Sequence, residues 1–319
     1  MKIVSIVVLY NNSLREIEEI ISSYKNQTYR IHKLILIDNS NEQSTLDEND
    51  GFIYYKRMNR NIGSAAGFQV GYEIANMLTF DYIWLNDNDG LPSYNCLEKM
   101  IEGNEEKEKC IIIPTKYDSK KKYLLNIETN LENIFEKRIY KNNITSTKIF
   151  STTTTGMLIN HKILEEVGFY NVANFSTGYE DLDFVIRCLK RGYYIKKEKY
   201  AIYYHPDLKE KYSNKRTMIK INQFLPYNLY HGKSLRQKRS TYSLSFICGK
   251  YFHYHNIIIT LLMSIIICIA IKMDVRNIFI ILRGIKNGIL DRNNKLDKDN
   301  EKIYKNNEIR NYKKYYEKY

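Results

Sequence analysis

The first 113 residues alternate short apolar runs with helix-like stretches, which predicts an α/β protein on a mostly parallel sheet flanked by helices. Three observations carry this. Ile3–Leu9 is an unbroken apolar and β-branched run, and residues 33–37, 52–55, 82–85 and 110–113 are strands of the same type. Ser13 and Glu16 form a capping-box pattern ahead of Ile17, Ile20, Ile21 and Tyr24, which recur at helical spacing. Several of the strands end abruptly in polar residues, and in such sheets ligands sit beyond the C-terminal ends of strands.

Composition bounds the rest. At 319 residues and 44% apolar content, the chain can bury a sizeable core in one large domain plus an appendage, or in two domains. Its five cysteines (Cys96, Cys110, Cys188, Cys248 and Cys268) are dispersed and form no Cys-x-x-Cys, which argues against a disulfide framework and a zinc site and fits a reducing cytosol. The opening Met-Lys-Ile-Val-Ser-Ile imitates a signal peptide, but its apolar run is very short and no small-residue cleavage site follows. Residues 1–100 hold 9 Lys/Arg against 13 Asp/Glu, whereas residues 191–319 hold 27 against 10, a net of +17. The basic character therefore belongs to the C-terminal third, which suits an anionic membrane or nucleic acid, or a merely solvated surface.

The chemistry centres on residues 82–90, Tyr-Ile-Trp-Leu-Asn-Asp-Asn-Asp-Gly. A buried strand stops here in four polar residues. Asp87 and Asp89, two apart, are expected to converge at its end. Like charges so close need a cation between them, or one takes up a proton. A hard divalent ion on one or two carboxylates plus substrate phosphate oxygens fits. Asp38 ends the second strand and either accepts from a nucleobase or makes an Asx turn. Gly63 and Gly67 flank Ser64, Ala65 and Ala66 at a helix start, where backbone N–H groups could approach a diphosphate, or where helix and sheet simply pack closely. Residues 152–159 read as a strand whose Gly156 marks close approach of a ligand. Residues 114–150 are expected to form irregular hairpins. Glu180, Asp181 and Asp183 crowd the first turn of an amphipathic helix, either complementing its dipole or supplying a catalytic carboxylate. Residues 193–195 and 201–204 read as a strand pair, after which His205 is either structural or a ligand.

Taken in order, the first strand with Asp38, the Asn61-x-Gly63 small-residue stretch, Trp84-Leu85-x-Asp87-Asn88-Asp89-Gly90 and Gly178-Tyr179-Glu180-Asp181-x-Asp183 resemble family 2 glycosyltransferases of the GT-A fold, over residues 1 to about 235. The small-residue stretch and the Asp-x-Asp stretch look most like the galactofuranosyl and rhamnosyl branch, although the middle acid of that branch is Asn88 here. The resemblance implies an inverting, metal-dependent transferase. It would move galactofuranose or rhamnose from a UDP- or dTDP-linked donor to a lipid-linked glycan of a bacterial surface polysaccharide. Asp38, Asn61, Gly63, Asp87 and Asn88 would bind the donor. Asp87, Asp89 and His205 would hold Mn2+ or Mg2+. Asp181 would be the general base and Glu180 its orienting or acceptor-binding neighbour, with Gly156 and Tyr179 also on the acceptor side. Asp183 is expected to matter less than Asp181.

Residues 236–319 are expected to form a basic, apolar helical module after a 1–235 catalytic domain. Residues 257–271 are 15 positions without a charge, short for a span of about 20. Residues 278–290 look amphipathic. This fits a peripheral protein at the cytoplasmic face of the plasma membrane, partnered by an anionic membrane surface and not by nucleic acid; homo-oligomerisation is left open. A nucleotidyltransferase would also use paired acids, but no glycine-rich basic loop stands near the N-terminus. A non-enzymatic basic protein binding membrane or single-stranded nucleic acid is a third reading, against whose nucleic-acid form stands a charge that lies away from the first domain and beside an apolar run.

Overall fold

Ile3–Leu9 (β1) is buried at every position, as an unbroken apolar run requires of a central strand. The computed structural model describes residues 1–40, 51–102, 107–120, 124–125, 149, 152–175, 178–206, 235–270 and 276–293. The expected hairpins of 114–150 and the tail past 293 lie largely outside them. Two compact units divide the chain: residues 1–130, 144–170 and 184–214 in one, and residues 131–143, 171–183 and 215–319 in the other.

The first unit carries one sheet. Its strands are β1, β2 (Lys33–Asp38), β3 (Ile53–Arg57), β4 (Tyr82–Asp87), β5 (Leu91–Pro92), β6 (Cys110–Asp118), β7 (Met157–Asn160) and β8 (Tyr194–His205). Their order is β3-β2-β1-β4-β7-β6-β8-β5. The half from β3 to β4 is parallel, as expected. Beyond it the sheet is mixed: β7 runs antiparallel to β4 and β6, β6 and β8 are parallel, and β5 is antiparallel to β8.

The side chains of β1 alternate between the two faces. Ile3, Val7 and Leu9 join one core with Trp84, Leu97, Met100 and the buried side of α1 (Leu14–Lys25), namely Ile17, Ile20 and Tyr24. The Ser13–Glu16 capping box closes the start of α1. On the other face α2 (Ser64–Leu78) lies so close that a Cβ on Gly67 would meet Val8 at 2.8 Å and one on Gly71 would meet Ile6 at 2.5 Å. Gly67 thus serves helix-on-sheet packing, the second of the two roles left open for it.

Two strand expectations are corrected. Residues 194–195 and 201–204 belong to one strand, β8, and a register shift at Pro114/Thr115 lets β6 follow it through the irregularity. Residues 152–156 are not strand. Thr154 to Met157 closes a turn, with Gly156 at φ 78°, and only Met157–Asn160 extends. What approaches Gly156 is Pro114, whose ring would lie 2.5 Å from an added Cβ. The short helices α3 (Cys96–Ile101) and α4 (His161–Val167) also belong to this unit. Helix α5 (Glu180–Lys190) has its first turn in the second unit and the remainder in the first.

In the second unit, α6 (Leu235–Tyr251), α7 (Tyr254–Ala270) and α8 (Arg276–Asn293) follow one another. Helices α6 and α8 meet backbone to backbone. A Cβ on Gly249 would lie 2.1 Å from the Ile285 carbonyl oxygen, and one on Gly288 the same distance from that of Phe246. Arg292 donates to the carbonyls of Gly249, Lys250 and Phe252, satisfying the orphan acceptors at the C-terminal end of α6 with a cation where the helix dipole favours one. Among the described residues no helix is long and apolar enough to cross a membrane.

Candidate active site

Register places the candidate residues of the parallel half. Leu9 pairs with Asp38 and Val8 with Asp87, so the two carboxylates end the strands on either side of β1. One rim therefore carries both.

Asp38 is fully buried. Its Oδ2 accepts from the Tyr55 hydroxyl at 2.6 Å and its Oδ1 from the Ser40 amide at 2.9 Å. The Asx-turn alternative is thus realised. Asn61 Oδ1 accepts from the Gly63 amide at 2.8 Å, and Asn39 Nδ2 donates to the Gly63 carbonyl at 3.0 Å. Gly63 caps α2 at φ 87°, a left-handed conformation that glycine adopts without a steric penalty. The loop before α2 is therefore tied down at Gly63.

Asp87, Asp89 and His205 come together, each offering a ligand atom within 4.8 Å of the others. The convergence has a backbone cause. Leu91 pairs with Tyr204 across β5 and β8, so the chain leaving Asp89 is stitched to the strand that ends in His205. Gly90 permits it: a Cβ there would lie 2.5 Å from the Tyr203 ring and 2.9 Å from the Tyr204 carbonyl oxygen. Gly90→Ala is therefore expected to push Asp89 away from His205 and lower divalent-cation affinity by about tenfold or more. A Mn2+ titration of the folded variant checks it; unchanged affinity would contradict the stitching.

The two acids differ in environment. Burial, with the like charge of Asp89, leaves the Asp87 carboxyl raised, against the opposing hydrogen bond from Thr155 and the charges of His205 and Lys116. Burial also acts on Asp89, but the hydrogen bond and charge of His205 outweigh it and its pKa is lowered. His205 Nε2 stands 3.2 Å from Asp89 Oδ1. Burial works to lower the imidazole, yet Asp89 and Asp87 together leave it raised. Its Nδ1 lies 2.8 Å from the Pro206 carbonyl, which can only accept, so Nδ1 carries the proton and Nε2 is turned toward the acids. Two carboxylates and an imidazole nitrogen so oriented form a donor set that suits a divalent cation.

Sequence reasoning missed several supporting groups. The Thr155 hydroxyl donates to Asp87. Lys116 is fully buried, donates to the Thr153 hydroxyl at 2.9 Å and contributes positive charge near Asp87. A lysine in the otherwise buried run of β6 was its signal. Asn88 bonds to Asn12 and to the Tyr10 carbonyl, holding the loop that leaves β1. Trp84 is core, with its indole N–H on the Gly156 carbonyl at 3.2 Å.

The second acidic group lies at the start of α5. Tyr179 has φ 72°, strained backbone for a bulky residue, and strain of this kind concentrates at functional sites. Glu180 is buried, and Asp181 is half-buried with Oδ1 accepting from the Leu182 amide at 2.7 Å. Asp183 is fully buried and accepts from Lys250 Nζ at 3.1 Å and from the Tyr251 hydroxyl at 2.7 Å.

The family model described as Glycosyl transferase family 2 matches residues 5–168, which hold β1 through α4 with Asp38, Asp87 and Asp89. The chain belongs to that family. Among solved structures, a crystal structure of GalNAc-T7 with UDP, GalNAc and Mn2+ superposes with a TM-score of 0.51 at 14% identity, over 65% of this chain. That likeness is one of fold, and this family 2 chain covers 44% of the length of the matched one. A search of curated proteins returned no match.

Proposed function

We propose that the chain transfers a sugar from a nucleotide-diphosphate donor to an acceptor hydroxyl, with inversion at the anomeric carbon. The observation that carries this is the convergence of Asp87, Asp89 and His205 on the rim that also holds Asp38. Membership of glycosyl transferase family 2 supports it, and the UDP and Mn2+ named with GalNAc-T7 support the donor class and the cation.

In this reading Asp38 takes the nucleobase and the tethered loop at Asn61 and Gly63 takes the diphosphate, beside Asp87 and Asn88. Asp87, Asp89 and the His205 Nε2 hold Mn2+ or Mg2+. A cation held by these residues would supply neutralisation of the charge that builds on the departing diphosphate. The acceptor oxygen forms its bond to the anomeric carbon as the bond to the diphosphate oxygen breaks, and that oxygen keeps the electron pair. The hydroxyl proton passes to Asp181. Glu180 and Tyr179 line the acceptor side. A single base without a covalent intermediate gives inversion. The donor sugar is galactofuranose or rhamnose, on the resemblance of the Asn61–Phe68 and Trp84–Gly90 stretches, and a lipid-linked glycan acceptor fits the basic, apolar C-terminal module.

The test is a panel of UDP- and dTDP-sugars scored by metal-dependent thermal stabilisation, since a ligand that binds only the folded state raises its stability. Stabilisation by UDP-galactofuranose or dTDP-rhamnose with Mn2+ is the expected result. No response to any sugar nucleotide would remove the reading.

A further inference from the structure

Two helices of the second unit leave apolar side chains in water. On α8, Phe279, Leu282 and Leu290 are exposed, Phe279 by 68%. Arg283 and Lys286 are exposed among them. At 3.6 residues per turn these five side chains fall within an arc of about 100°. The opposite side carries Gly284, Ile285 and Gly288, where α8 meets α6. On α7, Tyr254, Ile258, Ile259 and Leu262 are exposed on one side while Asn256, Ile257 and Thr260 are buried on the other. Neither helix exposes an acid: α7 contains none, and the one acid of α8, Asp291, is 16% exposed and paired with Lys250 at 3.1 Å.

We propose that these faces dock on an anionic lipid bilayer, with α8 lying in the headgroup region. A helix whose exposed stripe mixes phenylalanine and leucine with arginine and lysine suits an interface that is apolar below and negatively charged above. The three helices carry Arg236, Lys238, Arg239, Lys250, Arg276, Arg283, Lys286 and Arg292 against the single acid Asp291, a basic excess that complements anionic headgroups. The 17 described residues of α7 reach about 26 Å, less than a bilayer core of about 30 Å, a length that suits lying in the interface rather than crossing it. The proposal is independent of the glycosyltransfer reading, and its test measures binding alone.

The experiment is cosedimentation of the full chain with phosphatidylcholine vesicles, with and without phosphatidylglycerol. Wild type is expected to prefer the anionic vesicles and to leave them only in part at high salt, because salt screens exposed charges but not apolar insertion. Each basic side chain near such a surface is worth about fivefold in affinity, so Arg283→Gln with Lys286→Gln should weaken binding roughly 25-fold. Phe279→Ser with Leu282→Ser should abolish the salt-resistant fraction. All four positions are exposed, and an unchanged melting temperature verifies that the variants fold. Equal binding to neutral and anionic vesicles overturns the proposal, as does wild-type binding by either variant. A dimer that dissociates in the Phe279/Leu282 variant without a change in vesicle binding assigns the face to a second copy and overturns it too.

Discussion

Asp181→Asn is expected to lower turnover by about 10²-fold or more at saturating donor, the usual scale for removing a general base. The substitution keeps the shape of the side chain, and its Oδ1 can still accept from the Leu182 amide as the carboxylate does at 2.7 Å. Only the capacity to take a proton is lost. Donor and cation affinity should stay near the wild-type values, because their proposed ligands are Asp38, Asp87, Asp89 and His205. If Asp181 merely complements the helix dipole, the change costs about 0.3 to 1 kcal/mol of stability and spares turnover. Transfer to a glycan acceptor, corrected for folded fraction, separates the two. Turnover within a few-fold of wild type would move the base to Glu180.

Asp183→Ala is expected to be the most destabilising of the acid substitutions, by about 2 to 3 kcal/mol, the upper range for losing hydrogen bonds to a buried charged group, since Lys250 keeps Asp291. Asp183 is fully buried, while Lys250 is 16% exposed and stands between Asp183 and Asp291, each at 3.1 Å. Removing the aspartate also leaves the Tyr251 hydroxyl without its 2.7 Å acceptor. Urea unfolding checks this, and a loss under about 1 kcal/mol would contradict it. Sequence spacing made Asp183 look like a mild neighbour of Asp181. That expectation concerns turnover; what the structure adds is a role in stability, because two residues along a helix turn a side chain to a different face and this one meets α6.

The parallel half of the sheet was legible because each strand is a short run bounded by polar residues, and Ile3–Leu9 and Tyr82–Asp87 match their apolar composition. The Ser13–Glu16 cap was legible for the same local reason. Beyond β4 the order depends on long-range pairing that no local pattern encodes. The two-residue strand Leu91–Pro92 was invisible, yet it brings Asp89 to His205. Gly156 read as a ligand-contact glycine and Gly67 as either that or a packing position; an added Cβ would meet Pro114 and Val8, and a missing Cβ looks the same in sequence whichever neighbour approaches. Lys116 and Thr155 reach Asp87 from β6 and from the turn before β7, parts of the chain with no sequence link to the Asp-x-Asp pair.

In the proposed function Asp87, Asp89 and His205 hold a divalent cation that the nucleotide donor requires. The direct measurement is the shift in melting temperature caused by UDP, with and without Mn2+, in wild type, Asp89→Ala and His205→Ala. At a ligand concentration near 100 times its dissociation constant, about 2.7 kcal/mol of stabilisation is expected in wild type with Mn2+ and little without it. Proton and cation compete for Nε2, so the shift should shrink as pH falls through the raised pKa of His205. Asp89→Ala should abolish the Mn2+-dependent part and His205→Ala should weaken it less. The same Mn2+ dependence in Asp89→Ala as in wild type would contradict the account.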